Sequence, residues 1–170
     1  MKANILTLNK SQAVAYMART KRPGQVYLKK FDVDVVFRKG KLADPQIGKV
    51  RYREDDRPNK SFNKRTGREV EKKNDIVTYK MPGKDDLYVL AKSGGVSLFD
   101  GMSNKVKLGN KDRWWIITKD AKLEDGLIIA KDVFKDSEAN THYSIESEWD
   151  MLLSEYIEKL EKLKKYMKEA

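Results

Sequence analysis

The sequence predicts an α+β fold, and three observations carry the prediction. Between Gln25 and Arg38, Phe31, Val33, Val35 and Phe37 alternate with Asp32, Asp34, Val36 and Arg38, the period of a half-buried strand. The runs Arg113-Trp-Trp-Ile-Ile-Thr118 and Leu127-Ile-Ile-Ala130 are continuous, apolar and of strand length. The chain then closes on Leu153, Tyr156, Ile157, Leu160, Leu163 and Met167, an apolar stripe at helical spacing. With 170 residues the expectation is one domain spanning 1–170, long enough to bury a real core.

Taken in order, Ser11 is placed to cap a first helix whose Ala13, Val14, Tyr16 and Met17 share a face, and Lys21-Arg-Pro-Gly24 ends it. The strand from Gln25 follows, with Arg38 expected on the side opposite its apolar face. From Arg51 to Asp75 the chain holds nine Lys or Arg and six Asp or Glu, against Tyr52, Phe62 and Val70 as its only large apolar residues. Such a stretch buries little, so a mobile charged loop is expected over about 51–75, with a turn at Thr66-Gly67. Ile76 to Tyr79 reads as a short strand closed by Pro82-Gly83.

Leu87, Val89 and Ala91 next alternate with Tyr88, Leu90 and Lys92, a strand that runs into Ser93-Gly94-Gly95 and on to Ser97 and Phe99. Lacking a Cβ, Gly94 and Gly95 permit a sharp turn and let a flat ligand lie on the main chain, with Ser97 close by as a hydrogen-bonding group. An ordinary hairpin satisfies the same spacing. Trp114 and Trp115 face opposite sides of their strand, so one belongs to the core and the other is free to line a pocket. In Thr141 to Glu146, Thr141, Tyr143 and Ile145 share one face while His142, Ser144 and Glu146 share the other. Ser147 is the expected cap of the C-terminal helix, with Glu148 and Asp150 in its acidic first turn and Lys164, Lys165 and Lys168 at its basic end.

Composition narrows the chemistry. There is no cysteine, which excludes disulfides, thiolate nucleophiles and thiolate zinc sites, and the single histidine, His142, excludes a multi-histidine metal centre. Lys and Arg outnumber Asp and Glu by 36 to 26, a net charge of +10 that favours anionic partners such as dinucleotides, nucleic acids or an acidic protein. The same charge, spread along the chain, also serves simply to keep a surface soluble. No run approaches the ~20 apolar residues of a membrane span, and Met1-Lys-Ala-Asn-Ile-Leu-Thr-Leu-Asn9 has no signal-peptide pattern, so a cytoplasmic protein is expected unless a dedicated machine exports it.

Leu87-Tyr88, Ser93-Gly-Gly-Val-Ser-Leu-Phe-Asp100 and Thr141-His-Tyr-Ser-Ile145, in that order, resemble the ADP-ribosyltransferase-like toxins delivered by type VI secretion systems. The resemblance covers the second half of the chain, from Asp86 on. It implies two small antiparallel sheets around an NAD cleft with a C-terminal helix, NAD as substrate without a metal, and cleavage of the nicotinamide–ribose bond, ending in an ADP-ribosylated target or hydrolysed NAD. It further implies a cognate immunity protein, a secretion apparatus and a macromolecular target in the cytoplasm of a recipient cell. For the cofactor it suggests Arg38, Gly94, Gly95, Ser97, Phe99 and Tyr143, and for catalysis His142, Glu146, Ser97 and Glu148. Arg38 looks like the first-strand arginine that in that family holds the NAD end of the cleft together; its planar fork also suits the diphosphate. On residue pattern alone it is equally a strand-end arginine that is solvated or paired with Asp34. Without the resemblance a lone strand histidine reads as structural, and Glu148 has its place at a helix start. The alternative function is a basic nucleic-acid-binding module without catalysis, although 51–75 is poor in the aromatics of a stacking platform.

Overall fold

The computed structural model describes residues 8–21, 24–52, 60–71, 74–102, 106–133 and 140–170. Arg22 and Pro23 at the expected helix end, residues 1–7, and 53–59 and 72–73 of the expected loop lie outside these described residues.

Helix α1 (Lys10–Thr20) is capped by Asn9, not Ser11. The Asn9 side chain accepts from the Gln12 amide at 2.8 Å, and the Gln12 side chain accepts from the Asn9 amide at 2.9 Å. That reciprocal pair satisfies two amides at once, which Ser11 one residue later does not. Ala13 is fully buried, and Tyr16 and Met17 pack with Val77, Tyr79 and Leu90.

The alternating stretch after it is two strands, β1 (Gln25–Leu28) and β2 (Val35–Lys41), rather than one. Between them the chain leaves the sheet. Phe31 packs edge-on to Tyr143 at 5.8 Å, Asp32 accepts from the Tyr143 hydroxyl and pairs with Lys131, and Asp34 pairs with Lys119 at 2.8 Å. Alternate burial is thus met by local packing without a ladder, which a period-2 pattern does not reveal.

Inside the stretch expected to be a loop, β3 (Lys60–Phe62) and β4 (Glu69–Glu71) form a hairpin, with Gly67 at φ 67° where the turn requires the left-handed region. The remaining strands are β5 (Thr78–Lys80), β6 (Leu87–Val89), β7 (Gly95–Phe99), β8 (Asp112–Thr118), β9 (Leu127–Asp132), β10 (His142–Ser147) and β11 (Met151–Leu152). Helix α2 (Leu153–Glu161) follows, then a 3-10 turn over Lys162–Tyr166 and a last strand, β12 (Met167–Glu169).

All pairings are antiparallel. One sheet has the order β1-β9-β10-β7-β2-β8-β12, and a second has β11-β6-β5. Within the larger sheet, β2 pairs along its length with β8 but meets β7 only where Phe37 lies opposite Phe99. It is therefore a four-stranded and a three-stranded section joined through one residue pair.

The C-terminal helix starts at Leu153, six residues after the expected cap. Ser147 instead completes β10, fully buried, and its hydroxyl donates to the Leu90 carbonyl. Asp150 accepts from the Ala91 amide at 2.8 Å and the Tyr79 hydroxyl at 2.6 Å. Side chains that look like caps are used to tie the smaller sheet to the larger. The apolar stripe nevertheless reaches the core: Leu153, Tyr156, Leu160, Leu163 and Met167 pack with Val36, Leu98, Ile117, Ile129, Tyr143 and Ile145. Tyr156 is fully buried and donates to the Ile145 carbonyl at 2.5 Å; burial pushes its phenol far above its ordinary value.

Gly95 lies in this contact. A Cβ there would collide with the Ile145 carbonyl oxygen and stand 3.0 Å from the Tyr156 hydroxyl. Gly95→Ala is expected to cost roughly 1–3 kcal/mol, the range for overpacking a filled site. In a thermal melt that corresponds to a loss of roughly 3–9 °C for a chain of this size. A melting temperature equal to the wild type would contradict the packing described.

Candidate active site

Register decides which side chains share a surface. His142 on β10 lies opposite Phe99 on β7, and Ser144 lies opposite Ser97. On the other side of β10, Ser144 lies opposite Ala130 of β9. Alternation then sends Val96, Leu98, Ile129, Tyr143 and Ile145 into the core and turns Ser97, Phe99, His142, Ser144 and Glu146 to the opposite face.

There, two motifs that are 45 residues apart in sequence touch. His142 Nε2 is 3.0 Å from the Ser97 hydroxyl, and the Phe99 ring lies 5.4 Å from the imidazole between centroids. The other ring nitrogen, Nδ1, is 2.9 Å from Asp132 Oδ2, and Asp132 Oδ1 accepts from the Gln25 side-chain amide at 2.8 Å. The line Gln25–Asp132–His142–Ser97 thus crosses four strands, β1, β9, β10 and β7. Asp132 and Gln25 escaped the sequence reading. The only signal for Asp132 was that it continues the Ile128, Ala130 side of its strand, and nothing in the spacing places that strand beside the His142 strand.

Glu146 lies at the other end of the face, only 1% exposed. Its carboxylate accepts from the Ser144 hydroxyl at 2.7 Å and pairs with Lys21 at 3.3 Å. The Lys21 ammonium, at the end of α1, also donates to the Tyr27 hydroxyl and the Lys92 carbonyl and sits over the Tyr27 ring. Four residues of extended strand separate His142 from Glu146, about 13 Å at ~3.3 Å per residue. Glu148 lies further on, in the turn after β10, its amide on the Gly126 carbonyl and its carboxylate paired with Lys29.

Four expected ligands are placed differently. Arg38 is not opposite the apolar face: it shares the side of β2 that carries the fully buried Val36, because the alternation there runs through Val36 and not through Phe37. Its guanidinium donates to the Ser97 carbonyl at 3.0 Å and the Gln46 carbonyl at 2.8 Å, bridging the place where β2 parts from β7. Burial pulls its pKa down from the ordinary value, with the charge of Asp75 opposing. Tyr143 is sealed in the core, 0% exposed, with its hydroxyl on Asp32 and burial raising its pKa, since strand alternation puts it behind His142. Gly94 and Gly95 let protein rather than ligand come close. A Cβ on Gly94, at φ 122°, would strike the Asp75 carbonyl, as one on Gly95 would strike that of Ile145.

The exposed face continues past Phe99 to Phe37, which packs edge-on to Trp114 at 6.5 Å. Trp115 points the other way, packs against the core and donates from Nε1 to the Lys41 carbonyl at 2.9 Å. Among the described residues no three His, Asp or Glu side chains are grouped as metal ligands.

The model of one protein family, described as the Tse2 ADP-ribosyltransferase toxin, matches residues 5–170. No curated protein matches the chain.

The Lys21–Glu146 pair yields a stability prediction. Lys21→Met leaves a buried carboxylate without its cation, and about 3 kcal/mol of stability should be lost in urea denaturation. That is the low end for such pairs because the Lys21 side chain is itself 23% exposed. Adding Glu146→Gln should recover most of the loss, since a neutral amide still accepts from Ser144. A double variant no more stable than Lys21→Met alone would contradict this account.

Proposed function

This chain belongs to the family of Tse2 ADP-ribosyltransferase toxins, and on that premise we propose that NAD lies across the face formed by Ser97, Phe99 and His142, at the opening between β2 and β7. The protein is an NAD-dependent ADP-ribosyltransferase, with NAD as its substrate. The observation that carries the placement is the 3.0 Å contact between Ser97 and His142, which unites both motifs on a face with a half-exposed imidazole.

The chemistry suits these groups. Breaking the bond between nicotinamide and C1′ of the ribose builds oxocarbenium character, so the site needs polar atoms at the ribose and fixed negative charge nearby. His142 and Ser97 supply the polar atoms, and Phe99 offers a ring for the nicotinamide to stack on. Asp132, on the adjacent strand β9, supplies negative charge behind the imidazole, whereas Glu146 and Glu148, each paired with a lysine, lie further along the chain. In this reading Arg38 keeps the opening formed by holding the Ser97 and Gln46 carbonyls and makes no phosphate contact. When no acceptor is present, water takes its place and NAD is hydrolysed. We further propose that the toxin acts as one domain, leaves its producer through a type VI secretion apparatus, meets its macromolecular target in the recipient cytoplasm, and is neutralised in the producer by an immunity protein. No helix among the described residues is long and apolar enough to cross a membrane.

Nicotinamide release from NAD tests the placement. The wild type should release it, and His142→Ala and Ser97→Ala should each slow release by about 100-fold or more, the usual worth of a positioned acid–base group, while their melting temperatures stay within a few degrees. Full activity in both well-folded variants would remove the site assignment. Oligonucleotide binding that falls steeply with salt, with no release or transfer against any acceptor, would favour the nucleic-acid reading instead.

A further inference from the structure

We infer that His142, aligned by Asp132, takes the proton from the nucleophile that attacks NAD, in place of a glutamate. The inference rests on the reading that the Ser97 and His142 face binds NAD. It follows from counting donors and acceptors. An ionised Asp132 can only accept, its Oδ1 is already served by Gln25, and its Oδ2 faces His142 Nδ1 at 2.9 Å with the side chain 12% exposed. Nδ1 must therefore carry the hydrogen. In the neutral ring Nε2 is then a bare acceptor, directed at the Ser97 hydroxyl 3.0 Å away, and the imidazole is 32% exposed and open to a reactant.

Neither glutamate is so placed. Glu146 is 1% exposed with both oxygens engaged, by Lys21 and by Ser144, and lies about 13 Å along the strand from His142. The Glu148 carboxylate is paired with Lys29. One reacting carbon cannot touch His142 and Glu146 together.

In the step itself, the nucleophile forms its bond to C1′ as the C1′–nitrogen bond breaks, and that electron pair moves onto the pyridinium nitrogen, so nicotinamide leaves neutral. The nucleophile's proton passes to Nε2, directly or by way of the Ser97 hydroxyl, which hands on its own hydrogen as it receives one. The imidazolium rests against Asp132, which stays ionised, and later yields its proton to water. Asp132 is thus a positioning residue acting through His142.

Asp132→Asn and Asp132→Glu test this. His142 is the only histidine, so a ¹⁵N–¹H imidazole spectrum needs no assignment. The neutral wild type should show the Nδ1–H tautomer, and Asp132→Asn, which can turn an amide donor toward Nδ1, should shift the ring to Nε2–H. In the same variant kcat for nicotinamide release should fall by about 100-fold or more, with NAD Kd changed by less than about threefold and the melting temperature preserved. Asp132→Glu should recover at least about tenfold of that loss. An Nε2–H wild type, a kcat in Asp132→Asn within about threefold of wild type, or a loss that merely follows loss of folded protein would each overturn the inference. A wild type that neither binds nor cleaves NAD would remove the underlying reading as well. A wild type that does both beside an equally active Asp132→Asn would remove only the inference.

Discussion

The register between β7 and β10 is the constraint on which the rest of the structure depends. A slip of one residue would exchange the two faces of β10, sending Tyr143 and Ile145 outward and burying His142. Several contacts resist it. The Tyr156 hydroxyl is fastened to the Ile145 carbonyl, Gly95 admits that carbonyl where any side chain would not fit, and the Tyr143 hydroxyl is fastened to Asp32. On the open face Lys21 holds Glu146 from the end of α1. Each of these serves folding, yet together they set the distance between Ser97 and His142 on which the proposed chemistry turns.

A second constraint is the opening between β2 and β7. A strand pair that meets at Phe37 and Phe99 alone leaves main-chain carbonyls beyond the junction without ladder partners, and such groups must find donors. Arg38 provides one for Ser97 of β7 and donates as well to the Gln46 carbonyl in the turn after β2, while its buried Nε has no hydrogen-bond partner among the described residues and burial lowers its pKa. An arginine committed to two carbonyls contributes to the proposed NAD face only by shaping it. The polar work falls to the neighbouring strands, where Asp132 and Gln25 orient the imidazole from behind, as outer partners orient the ligating or reacting groups of many sites.

Much of this was legible in the amino-acid sequence. The strands at Arg113–Thr118 and Leu127–Ala130, the separation of Trp114 from Trp115, and the split of His142, Ser144 and Glu146 from Tyr143 and Ile145 all follow from period-2 alternation. The family followed from three short strings, and its match extends over residues 5–170. What was not legible depends on partners remote in sequence. Ser147 and Asp150 look like a helix start until Leu90, Ala91 and Tyr79 are seen to claim them. Gly94 and Gly95 look like a ligand cradle until Asp75 and Ile145 fill the space. Arg38 lies on the side of Val36 and not opposite the apolar face, because Phe31 and Val33, which set the apparent apolar side in the sequence, belong to a connection outside β2. Asp132 was invisible for the same reason: no local pattern tells that β9 lies beside β10.

If NAD sits on the face carrying Ser97, Phe99 and His142, as proposed, the sole histidine reports it directly. Titrating the wild-type protein with NAD at low temperature while following the His142 ring protons and nitrogens should produce saturable shifts. Their midpoint should match the affinity measured independently by calorimetry. Saturation of the protein with NAD that leaves every His142 ring signal unmoved would place the substrate elsewhere and contradict this account.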